Sequence, residues 1–354
     1  MKIPTEPIGS IPRPAYLTEA MKALSLGQVS EKEFSSLTER ALRETVKEFE
    51  QTGSPVITDG EQSKPSFATY PIHGMKQLAA DGVIIPFADG HTRQLPRLTA
   101  GPFKFQTYAS SYFEKAKLLT QLPVKQAVIS SSAISLLYPQ GGIPNYSRDQ
   151  FIRDLINESV YDIRRCLDRG AYNVQIDFTE ARLAIKLDPS KQLLKSFIDL
   201  NNQVLDQFTD TDRKKIGIHT CPGGDHDSTH SADISYTELL PDLFDLHAGN
   251  FYLEYAGEKD KATTLKAIKE YAKPNQRIFI GVINVIDPRI ETPEEVRDLI
   301  LEAAETIPVD RLGTTDDCGF SPFADDSSTS RQTAFAKIRA RIQGTALAEK
   351  KLVK

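Results

Sequence analysis

His219 and Cys221 stand two residues apart at the end of a short apolar run, Ile216-Gly217-Ile218-His219-Thr220-Cys221, which breaks at Pro222-Gly223-Gly224. Side chains alternate faces along a strand, so both are expected on one face at its end. Imidazole and thiolate are good zinc ligands, but zinc needs more than two. A second run, Phe251-Tyr252-Leu253-Glu254-Tyr255-Ala256, carries one carboxylate. A glutamate inside a buried strand must be paired, protonated or metal-bound. A third run, Arg311-Leu312-Gly313-Thr314-Thr315, leads into Asp316-Asp317-Cys318-Gly319. His219, Cys221, Glu254 and Cys318 thus form a four-ligand set for a tetrahedral Zn2+ site. Zinc deprotonates a bound thiol, and the thiolate is the nucleophilic form, so the chemistry implied is alkyl transfer to a thiol.

Two further acids sit at strand ends. Asp59-Gly60-Glu61 follows Val56-Ile57-Thr58, and Asp177 closes Val174-Gln175-Ile176. Such a carboxylate pair suits an ammonium group or a proton. Ser10, in the turn-rich opening Gly9-Ser10-Ile11-Pro12-Arg13-Pro14, is a candidate substrate contact, because loops on a rigid scaffold often carry function. Arg13, Arg182 and Arg289 are candidates to hold an acidic group of the substrate bidentately. Asp225-His226-Asp227-Ser228-Thr229-His230 reads as a polar loop that a second metal or a polar substrate could use. Asp316 and Asp317 are candidates to orient the zinc ligands.

Alternating strand and helix patterns must position these groups. Strand candidates fall near Ile8 and at 56–61, 125–130, 172–178, 216–221, 251–256, 277–284 and 311–315. Helices are expected over 30–52, with Ser30 and Glu33 as a capping box, and over 109–121, 148–169, 190–208, 236–246, 260–272, 293–306 and 330–348. Eight strands with intervening helices make the fold class α/β, a single (β/α)8 barrel whose strand ends share one mouth, spanning 1–354 as one domain. Residues 67–105 break the alternation. Val83–Phe87 and Arg97–Gly101 around Asp89-Gly90 read as an antiparallel hairpin insertion.

The chain has 354 residues, net charge −5 and 40% hydrophobic residues, ordinary for a globular protein with a large core. The mildly acidic balance offers no footprint for nucleic acid, and no apolar run is long enough to span a membrane. The first residues lack a signal-peptide core, and three cysteines, two of them at strand ends, suggest metal binding in a reducing cytoplasm. Cys166 reads as a plain buried cysteine. The oligomeric state is left open.

The His-x-Cys pair, the strand glutamate and Asp317-Cys318-Gly319 together resemble the zinc site of cobalamin-independent methionine synthases, in their C-terminal catalytic barrel. Ile8-Gly9-Ser10-Ile11-Pro12, Asp59-Gly60-Glu61, Val174-Gln175-Ile176-Asp177 and Gly281-Val282 occur in the same order, so the resemblance covers nearly the whole chain. It implies zinc held by His219, Cys221, Glu254 and Cys318, with Glu61 and Asp177 clamping the amine of homocysteine. The partners implied are a small thiol and a methyl donor. The wider family includes zinc-dependent epoxyalkane:coenzyme M transferases, so another thiol or alkyl electrophile is the alternative. A non-catalytic zinc barrel or a uroporphyrinogen-type decarboxylase is a third.

The chain departs from that family in the donor half of the reaction. It aligns only with the C-terminal half of the long synthases. It has no Trp, so by position Tyr138 would take the place of the residue stacked on the pteridine ring. The family's proton-donating histidine falls at Ile286, within Asn284-Val285-Ile286-Asp287-Pro288. The expectation is poor use of a folate, whose amine leaving group needs a proton, and better use of a more activated donor.

Overall fold

Residues 2–352 are described by a computed structural model. Six strands form one parallel sheet, in the order Leu312–Thr315, Arg277–Gly281, Asn250–Leu253, Ile216–Thr220, Val174–Asp177, Gln126–Ile129. Their residues are buried almost throughout, which is why they read as continuous apolar runs rather than alternating ones. The other two expected strands are shorter than their sequence suggested. Thr5 makes a single parallel bridge to Thr314, and Ile57 makes one to Val124, prolonging opposite edges of the sheet. These two outer segments bond to each other: Ile11 N–H donates to Gly60 O at 3.0 Å, and Thr58 Oγ1 donates to Gly9 O at 2.8 Å.

Helices follow the strands where the periodicity predicted. Glu31–Thr52 starts at a Ser30–Glu33 capping box and ends at Gly53, whose φ of 79° needs no Cβ. Arg148–Asp168 carries its own box, Ser147–Gln150, and is followed by Gly170 at φ 86°. Long helices at Lys261–Tyr271, Pro293–Ala304 and Arg331–Leu352 complete the later alternation. No helix among the described residues is long and apolar enough to cross a membrane.

The 67–105 region pairs differently from the expectation. Ile84–Pro86 pairs antiparallel with Thr92–Gln94 around Asp89-Gly90, whereas Arg97–Leu98 pairs with Leu78–Ala79. Leu95-Pro96 separates the two ladders, and proline has no N–H to extend one. A helix at Ala15–Ser25 was not expected. The proline-rich opening reads as loop, yet Pro14 fits the entrance of a helix and Leu17 and Ala20 bury one face.

Candidate active site

The register of the parallel sheet brings the chemistry together. Asp177 and His219 are cross-strand partners, and His219 is partnered in turn by Tyr252. Cys221 follows the end of its strand, and Cys318 lies three residues past Thr315. The ligating atoms of His219, Cys221 and Cys318 all lie within 4.8 Å of one another, and all three residues are buried. The two sulfurs are 3.1 Å apart and belong to free cysteines. Within the pair, the contact from Cys221 and the neighbouring His219 make Cys318 the thiol that ionises first, while that contact and burial push Cys221 up.

These residues fit a zinc ion. His219 Nδ1 faces the carbonyl of Tyr252 at 3.3 Å, which places its proton there and leaves Nε2 a lone pair. Nε2 is buried without a partner among the described residues. A buried, unpartnered imidazole nitrogen beside two free thiols is the donor set of a borderline-soft cation.

Glu254 is not brought into that group. Its Oε2 accepts from Arg182 Nη1 at 3.0 Å, and Arg182 Nη2 also donates to Glu258. Burial and Asp317 push the Glu254 carboxyl up, against the opposing Arg182 charge. Asp317 fixes the turn after Glu254: Oδ1 accepts from Tyr255 N and Ala256 N, both at 2.9 Å, and Oδ2 accepts from Gly257 N at 2.7 Å. The segment bearing Cys318 is thereby tied to the one bearing Glu254. Asp316 instead pairs with buried Arg341.

A cavity of about 830 Å³ opens against this centre, with Ser10, Glu61, Asp177, Glu180, His219 and Cys318 in its wall. Glu61 has φ 56°, and its Oε1 accepts from Lys64 Nζ at 2.9 Å. Burial of Asp177, next to Glu61, pushes its carboxyl up to about 6. Asp177 Oδ1 accepts from Gln175 Nε2 at 2.7 Å, and Oδ2 has no bond from the described residues. Ser10 Oγ accepts from Ser321 N at 3.2 Å.

Other candidates sit elsewhere. Tyr138 is turned into the core, stacked on Phe151 with its hydroxyl donating to Tyr146 O, and is not part of the cavity wall. The short helix Ser131–Ser135 precedes it and redirects the chain. None of the three arginines is free for a substrate. Arg13 donates to the carbonyls of Ser321, Glu61 and Lys64, Arg182 is held by its two glutamates, and exposed Arg289 pairs with Glu295. Ile286 lies in an exposed turn. Asp225 is clamped by Arg93 and His91, so the 225–230 loop is tied to the 84–94 hairpin. His226 and Asp326 lie within ligating distance of Asp225, but the Arg93 guanidinium already neutralises it.

His230, in the same wall, is buried with Nδ1 2.5 Å from Ser231 Oγ. Burial, then Lys186 and Arg182, push it down to about 4. An unfolded histidine titrates near 6.5, so the neutral ring's contribution is present above that pH and is lost as pH falls from 6.5 towards 4. Denaturant titrations at pH 7 and 4.5 should show an acid penalty of up to about 3 kcal/mol that His230→Asn removes. An unchanged pH dependence in that variant would exclude this source.

Two residues, Glu180 in the wall and Lys64 behind Glu61, have little sequence signature. Glu180 follows Asp177 by three residues, outside any strand, and Lys64 follows Glu61 at the same spacing. Only the turn that each occupies carries it into the site.

A family model described as "Cobalamin-independent synthase, Catalytic domain" matches residues 3–339. The methionine synthase of Pyrococcus horikoshii is 22% identical over 366 residues, covering 99% of this chain and 94% of that protein. The 5-methyltetrahydropteroyltriglutamate–homocysteine methyltransferase of Neisseria meningitidis serogroup B is 23% identical over 331 residues; the match takes in 90% of this chain but only 40% of that protein. The B12-independent methionine synthase of Shewanella sp. W3-18-1, solved with selenomethionine, superimposes with a TM-score of 0.77 at 19% identity, covering 100% of this chain and 99% of that one. The chain belongs to the cobalamin-independent synthase catalytic-domain family.

Proposed function

We propose that this protein is a zinc-dependent methyltransferase that methylates a thiol, homocysteine, to give methionine, at the mouth of a closed (β/α)8 barrel. The bonds between the two outer segments support closure. The observation that carries the reading is the buried His219, Cys221 and Cys318 group opening on a cavity whose wall holds Glu61 and Asp177. Glu254 is proposed as the fourth ligand, exchanging Arg182 for the metal. When bound, zinc would keep a substrate thiol in its thiolate form at neutral pH. Asp177 Oδ2 and the second oxygen of Glu61 accept from the substrate ammonium, and Lys64 holds Glu61 in place. The names of the relatives support the same substrate class.

The carboxylate pair favours an amino-thiol over a thiol without an amine, such as coenzyme M. Removing a hydrogen bond to a charged group costs about 1.5–3 kcal/mol, so Asp177→Asn should raise the homocysteine KM by about 10- to 150-fold with zinc retained. The KM for an amine-free thiol should not change. Equal affinity for both thiols in the wild type would point instead to the alternative alkyltransferase.

A further inference from the structure

The Val174–Asp177 strand carries one polar side chain that neither the metal group nor the amine clamp uses. Gln175 stands two residues before Asp177, so the two share one face of the strand. It is fully buried. Its Nε2 donates to Asp177 Oδ1 at 2.7 Å and to Ile8 O at 3.1 Å. An amide nitrogen has two protons, and both are committed. The amide cannot be turned over, because its oxygen would then face an ionised carboxylate and a carbonyl, neither of which donates. Oε1 has no partner among the described residues, so the two donated bonds alone fix the amide. They also join two parts of the cavity wall. Asp177 lies in that wall, and Ile8 leads into Gly9 and Ser10, which lie there too.

We propose that Gln175 is a positioning residue for amino-thiol selectivity: it ties back Oδ1 of Asp177, leaves Oδ2 to the substrate ammonium, and fixes the Ile8–Ser10 segment with the same amide. This role rests on the methyl-transfer reading of the site and on its amine clamp. The terminal torsion of an aspartate is soft, so packing alone does not decide which oxygen is offered. A bond of 2.7 Å to one oxygen does decide it. With the carboxylate already set, the substrate does not have to order it on binding. Gln175 moves no proton and touches no reacting atom. Its effect therefore falls on the KM of a thiol that carries an amine, and not on kcat. Glu61, the other half of the clamp, is held separately by Lys64.

The test compares homocysteine with mercaptobutanoate, the same thiol without its amine, in zinc-loaded protein. Gln175→Met keeps the length of the side chain and removes both N–H groups. It should raise the homocysteine KM by about 5- to 30-fold with kcat little changed, while the KM for mercaptobutanoate stays near its wild-type value. The decisive measurement is a double-mutant cycle. In an Asp177→Asn background no charged oxygen is left to orient, so Gln175→Met should add nothing to the homocysteine KM. Gln175→Asn keeps the amide one methylene short and cannot span both acceptors. It should show the same homocysteine-only loss in smaller measure, which covers a Gln175→Met that does not fold. Equal losses with both thiols, or losses that add in the double variant, are what a purely structural role gives, and either would overturn the assignment. No loss with either thiol would overturn it as well. A wild type that does not favour homocysteine over mercaptobutanoate would overturn the amine clamp itself, and this inference with it.

Discussion

Cys318→Ser is expected to bring zinc from one equivalent per chain to background and to abolish measurable methyl transfer. The variant removes one of two sulfurs 3.1 Å apart and leaves His219, Cys221 and the proposed Glu254, one donor short of the four-ligand set and with a single thiolate on the cation. The catalytic loss has a floor set by ionisation alone. A free thiol with a pKa near 8.5 is only about 3% thiolate at pH 7, so losing the metal costs at least about 30-fold before any loss of orientation. Cys221→Ser should behave alike. Cys166→Ser is the control: Cys166 is buried in the core, apart from the group, and its replacement should leave zinc bound. Metal analysis after gel filtration, with circular dichroism to confirm folding, decides the matter. Full zinc occupancy in the Cys318 variant would sink the assignment.

Arg182→Met should be the most destabilising single change at the site. Arg182 is 2% exposed and stands between the carboxylates of Glu254 and Glu258, over the Tyr236 ring at 4.3 Å. Removing one partner of a buried ion pair strands the other charge and costs about 3–5 kcal/mol. In a chain of this size that corresponds to a melting temperature about 4–7 °C lower. Glu254→Gln in the same chain should restore part of the loss, since it removes one stranded charge. Added zinc should stabilise Arg182→Met more than it stabilises the wild type, because Glu254 no longer has to leave the guanidinium to reach the metal. Paired thermal melts with and without zinc measure both effects. A loss below about 1 kcal/mol would mean that water or protonation already compensates Glu254.

Asp317 takes a different part from the one its sequence position suggested. The sequence suggested a partner for the zinc ligands. In the fold its carboxylate collects three backbone N–H groups of the 255–257 turn and so sets the position of Glu254 from the Cys318 side. Gly281 must lack a side chain for this, because a Cβ there would meet Asp317 Oδ1 at 2.0 Å.

What the sequence determined by itself is the periodic part of the molecule. Apolar runs set the six strands, 3.6-residue periodicity set the long helices, and capping residues set their starts. Because parallel strands lie in register, placing His219 and Asp177 at strand ends was enough to make them neighbours. The His-x-Cys spacing and Asp317-Cys318-Gly319 likewise marked the residues that cluster as His219, Cys221 and Cys318. Tertiary structure alone decided the partners. Glu254 lies with Arg182 rather than with the sulfurs, Tyr138 turned inward, and Glu180 entered the cavity on a turn with no periodic signal. Each of these depends on which distant group satisfies a buried charge or hydrogen bond. Local sequence does not encode that choice, because every buried polar atom must find its partner in whatever the packed chain brings beside it.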